Sequence, residues 1–106
     1  MANNFKNYFV KNANTSTQTV ITAGSGVQAT VIGMSLANMT NAPVSANVFI
    51  TAGGTDYYVV YQATVPVGGS LVPIGGDQKV VLEATDALKV SATANCDVIL
   101  SVLEIS

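Results

Sequence analysis

Clusters of turn-forming residues interrupt this chain at short, even intervals, and that spacing restricts the fold more than any other feature. "NANTS", "AGSG", "NMTNAP", "AGG", "VGG", "IGGDQ", "EATD" and "TANCD" punctuate runs rich in Val, Ile, Thr and Tyr. No segment sustains a 3.6-residue apolar period. The spacing predicts strands near 17–22, 27–37, 44–51, 56–64, 70–74, 79–82, 87–93 and 97–105. About eight short strands of this kind imply an all-β fold, a single antiparallel β-sandwich with either jelly-roll or immunoglobulin-like topology. Within "VQATVIGMSLAN", Gly33 is expected at a bulge or a close backbone approach. Gly53 and Gly54 in "TAGGTD" suit a two-residue hairpin, because both can take positive φ.

The 106 residues suit one domain. Residues 17–106 carry the sandwich, and residues 1–16 read differently. Phe5, Tyr8 and Phe9 lie there in an Asn- and Lys-rich background, three of the chain's seven aromatics within ten residues. Such a segment is either an edge strand closing the sandwich or an arm that anchors its rings in a neighbouring subunit. A helix is disfavoured, since Asn prefers caps and turns.

Two strands are apolar on both faces. In the predicted strand 87–93, Leu88, Val90 and Ala92 alternate with Lys89, Ser91 and Thr93, which leaves one dry and one wet face. The final strand breaks this rule. Val98, Leu100 and Val102 share one face, whereas Ile99, Leu103 and Ile105 share the other with only Ser101 between them. One of these faces is expected between chains. Simple alternation in "DYYVVYQ" places Tyr57, Val59 and Tyr61 on one face and Tyr58 and Val60 on the other. One face would then lie in the core and one in an interface, where Tyr buries its ring while its hydroxyl tolerates water. A sugar-binding platform is the alternative use of these rings, although Trp is absent and no polar cluster flanks them in sequence.

Charge content sharpens the interface expectation. Only 9% of residues are charged, where about 25% is usual. A surface built instead from Thr, Ser, Asn, Gln, Ala and Gly resists association poorly, so it is expected to be covered by partners. The formal net charge is −2, and Lys6, Lys11, Lys79 and Lys89 are scattered, which argues against nucleic acid. No apolar run approaches the about 18 residues of a membrane span, and "MANNFKNYFVKN" does not read as a signal peptide. Assembly in a cytoplasm is the expectation, and the sequons "NTS" and "NMT" carry no meaning there.

Chemistry finds few candidates. There is no histidine, hence no ordinary general base and no common metal ligand. The six acids sit mostly at predicted turns, where Asp caps backbone groups. Asp77, Glu83 and Asp86 could be grouped as a calcium loop, but no EF-hand or repeat spacing supports this. Cys96 reads as a turn residue in "TANCD", without a basic neighbour to activate it. No enzyme activity, catalytic residue, metal or cofactor is expected.

The run "YYVVYQATVPVGGSLVPIGGDQKVVLEATDALKVSATANCDVILSVLEI" resembles small virion proteins of tailed bacteriophages, of the type infecting cyanobacteria and other aquatic bacteria. The resemblance covers the last eighty residues or so and lies in pattern. It implies a β-sandwich structural protein of the virion, most of all a capsid cement or decoration protein. Its partners would be the major capsid protein or copies of itself, with Phe5, Tyr8, Phe9, Tyr57, Tyr58, Tyr61, Ile99, Leu103 and Ile105 as interface candidates. A tail, neck or fibre subunit is the nearest alternative, and a carbohydrate-binding module a further one.

Overall fold

A computed structural model describes residues 3–75 and 79–105. Nine strands make up its regular structure: β1 (Asn3–Ala13), β2 (Gln18–Thr22), β3 (Gln28–Asn38), β4 (Val44–Ala52), β5 (Thr55–Val65), β6 (Ser70–Ile74), β7 (Val80–Leu82), β8 (Ala87–Ala92) and β9 (Cys96–Ile105). Among the described residues there is no helix.

The strands form two antiparallel sheets. The first runs β1-β9-β3-β6, with β7 also beside β3, and the second runs β2-β8-β4-β5. β6 and β7 share one lane, the former against Met34–Ala37 and the latter against Ala29–Val31. The chain changes sheet at every connection except β4–β5 and β6–β7. This order is the jelly roll, one of the two topologies left open by strand spacing. Its hairpin β4–β5 turns on Gly53 and Gly54 at φ 60° and 80°, the two positive values that a tight primed turn requires.

Alternation explains which side chains meet between the sheets. Leu36, Val98, Leu100 and Val102 of the first sheet face Val44, Val48, Leu88 and Val90 of the second, all essentially sealed from solvent. Each such side chain contributes roughly 1.5–3 kcal/mol by leaving water. Val31 and Met34 both point inward although they are three positions apart, because Ile32 and Gly33 together oppose the single Ser101. That is the bulge expected at Gly33, and it restores the inward face after one extra residue.

One buried polar side chain is structural. Asn38 is 8% exposed. Its amide nitrogen donates to the carbonyls of Ala42, Val65 and Pro66 at 2.9, 3.1 and 3.3 Å. Its oxygen accepts from the Thr40 N–H and hydroxyl, both at 2.8 Å. The side chain of this sequon asparagine therefore ties the β3–β4 loop to the end of β5. Cys96 departs from its expectation as a turn residue. It opens β9 and is fully buried, where burial and then the Asp97 charge push its thiol pKa up, so it packs as a small apolar group.

Candidate interaction surface

β1 settles how the first aromatics are displayed. It pairs antiparallel with β9 from Asn3 opposite Ile105 to Ala13 opposite Cys96. It thus forms the edge of the first sheet. Alternation then splits the three rings. Phe5 and Phe9 point out of the sandwich, whereas Tyr8 has the inward parity of Val10.

Tyr8 does not join the surface formed by Phe5 and Phe9. Its hydroxyl donates to Glu104 Oε2, and Lys6 Nζ lies 3.3 Å from Glu104 Oε1. The bond to Glu104, partial burial and the carboxylate charge push the Tyr8 pKa up to about 12. The same Tyr8 bond, helped by Lys6, holds Glu104 below the usual carboxylate range against partial burial. At the other end of β1, Lys11 Nζ meets Asp97 Oδ2 at 2.8 Å, and the Asn12 N–H donates to Asp97 Oδ1 at 3.2 Å. These contacts, Lys11 first, lower the Asp97 pKa. Two polar clamps therefore hold β1 onto β9.

Between the clamps, the outward face exposes apolar side chains on either side of one polar pair. Phe5 stands opposite Leu103, Asn7 opposite Ser101 and Phe9 opposite Ile99. Phe5 is 78% exposed, Phe9 65% and Ile99 50%, while Leu103 and Ile105 are half-buried. The choice between the two faces of β9 is thereby made: Val98, Leu100 and Val102 are core, and Ile99, Leu103 and Ile105 face out. Shallow depressions of about 320 Å³ and 230 Å³ flank the rings, one reaching Ile32 and the other the Lys11–Asp97 pair. Exposed Val81 extends the apolar band across the sheet, opposite Thr30, which itself faces Leu103.

The tyrosines of β5 are arranged differently from simple alternation. Val60 opposes Val48, yet Tyr58 opposes Phe49, so Val59 is an extra residue and the faces exchange there. Tyr58 and Tyr61 consequently share the outward face of the second sheet, with ring centres 5.1 Å apart in an edge-to-face contact. Phe49 completes the group 4.9 Å from Tyr58. Tyr57 falls opposite Ile50 and lies outside this ring contact. All three tyrosines are exposed, so neither side of β5 buries a tyrosine in the core.

A second bulge sits beside them. Val60 and Ala63 oppose Val48 and Ala46, so Tyr61 and Gln62 lie opposite the single Asn47, with Gln62 at φ 53°. The side-chain oxygen Oδ1 of Asn47 accepts from the Gln62 N–H at 2.8 Å, and its Nδ2 donates to Ser91 Oγ at 3.2 Å. Thr15, Ser45, Asn47, Gln62, Ser91 and Thr93 thereby line a polar groove of about 390 Å³. Reading along the chain missed this cluster, because its members come from β4, β5, β8, the bend after β8 and the loop before β2. The signal was present as Ser45 and Asn47, and Ser91 and Thr93, each on the wet side of an alternating strand.

Of the candidate calcium loop, Glu83 and Asp86 fall within the described residues. Asp77 lies outside the described residues, and Asp86 caps its own turn by accepting from the Glu83 N–H at 3.0 Å. Among the described residues, no three His, Cys, Asp or Glu side chains gather as metal ligands would.

No family model matches the sequence, and no curated protein matches it. One solved structure shares the fold, reported as "Bacillus endospore appendages form a novel family of disulfide-linked pili". The identity is 15% and the TM-score 0.57, over 98% of this chain and 88% of that one. At that identity the likeness is one of β-sandwich architecture.

Proposed function

We propose that the chain is a non-enzymatic structural subunit that works by burying the outward face of its first sheet against neighbouring subunits, as a capsid cement or decoration protein of a phage virion. The carrying observation is the pairing of Phe5 with Leu103 and Phe9 with Ile99 on a face that none of the described residues covers. Apolar surface of this kind yields roughly 25 cal/mol per Å² when a partner excludes water from it. A modest patch on each of many copies would reinforce the joints of a shell. The low charge content and the resemblance to small phage virion proteins support the placement in a virion.

A fibre, neck or tail subunit is the second reading, and the shared fold with an appendage structure described as pili favours it. The disulfide linkage of that description has no counterpart here, because Cys96 is the chain's sole cysteine and is buried. Copy number separates the two readings. Hundreds of copies per particle, lost when Phe5 and Phe9 are both changed to Asp, support cement. A handful of copies transfers the protein to the neck or tail, and absence from particles removes both.

A further inference from the structure

We propose that the polar groove on the outward face of the second sheet, together with the exposed Tyr61 next to its lining residue Gln62, is a binding site for a neutral oligosaccharide. The β5 bulge supplies the geometry by setting Tyr61 and Gln62 side by side opposite Asn47. Tyr61 is 65% exposed, and its edge-to-face contact with Tyr58 holds the ring in a defined orientation. A pyranose presents C–H bonds on one face, and their slight positive charge favours the negative face of an aromatic ring. Its rim carries hydroxyls that both donate and accept.

The groove floor matches that rim. The Gln62 amide offers two donors and an acceptor, and the Ser45 and Thr15 hydroxyls offer one donor each. Asn47 is already oriented by its bonds to the Gln62 N–H and Ser91 Oγ, which leaves the Ser91 hydroxyl proton available to a ligand. Among the described residues no charged side chain lines the groove, so an acidic glycan, a phosphate or a basic peptide finds no counter-ion among them. Its volume falls within the about 300–1,000 Å³ typical of small-ligand sites. The site lies on the sheet opposite the assembly face, so a subunit packed through Phe5 and Phe9 would still display it.

The test is an array of neutral and acidic glycans probed with the full chain, followed by an NMR titration with the strongest neutral trisaccharide. Saturable shifts are expected at Asn47, Gln62, Ser91 and Thr93, with Ile99 and Leu103 unmoved. Tyr61→Ala should weaken binding about tenfold, whereas Tyr61→Phe, which keeps the stacking face, should stay within about threefold. Ser91→Ala gives an independent check, with weaker binding and an unchanged fold. Absence of any neutral glycan from the array overturns the proposal. So does preference for acidic glycans, or binding that Tyr61→Ala and Ser91→Ala leave intact.

Discussion

Asn38 shows how one side chain can hold a loop that has little else to fix it. Three carbonyls receive its amide protons, and Thr40 donates to its oxygen twice. Asn38→Ala leaves those groups without partners in a largely dry site, so it should lower unfolding stability by about 2–3 kcal/mol. Asn38→Asp should fare little better, because a carboxylate would face the same three carbonyls. Urea unfolding of both variants measures this, and a loss below about 0.5 kcal/mol would show that water replaces the network. Glu104 makes a second residue-scale case. Its pKa is lowered by Tyr8 and Lys6, so its contribution is present above the unfolded carboxylate value of about 4.3 and fades as pH falls through the lower folded value. Tyr8 acts oppositely. Its folded pKa of about 12 exceeds its ordinary 10.0, so its contribution holds below pH 10.0 and is lost toward about 12. Melting temperature against pH should therefore fall at both ends. Glu104→Gln should flatten the acid limb, and an unchanged limb would assign it to other carboxylates.

At the scale of elements, β1 carries the most consequence. It contributes Val10 and Ala13 to the core and covers one edge of β9, where exposed ladder groups would otherwise invite pairing with another chain. Deleting residues 1–12 should therefore cost stability and raise aggregation, beyond any effect on attachment. Phe5→Ser with Phe9→Ser should leave the melting temperature within a few degrees, since both rings are exposed. Thermal melts of the two variants separate β1 as a structural strand from β1 as a dispensable arm. Strand positions were legible in the sequence because turn clusters and alternation report backbone punctuation directly. The last strand also announced its two apolar faces, though not which one was dry. The tyrosines of β5 were assigned to faces by strict alternation, and an extra residue at Val59 reversed that assignment. Bulges of this kind depend on what the neighbouring strand presents, which a local pattern does not contain.

Over the whole molecule, the two outward faces differ in what they expose. The first sheet shows Phe5, Phe9 and Ile99, and the second shows Tyr58 and Tyr61 beside uncharged polar groups. The expectation of an interface rests on the missing charge, because solubility depends on totals. The jelly-roll order and the groove were not legible in the sequence, since both depend on which distant strands become neighbours. Asn47 and Ser91 meet only because β4 lies beside β8. The central claim is that the Phe5–Leu103 and Phe9–Ile99 face drives association. Sedimentation velocity of the wild-type chain and of Ile99→Asp, across a concentration series, tests it most directly. Ile99 is half exposed, so the variant should keep the β-rich circular dichroism of the parent. The wild type should sediment as concentration-dependent oligomers and the variant as a monomer. A wild type that stays monomeric at high concentration, or a folded variant that associates just as strongly, would contradict the account.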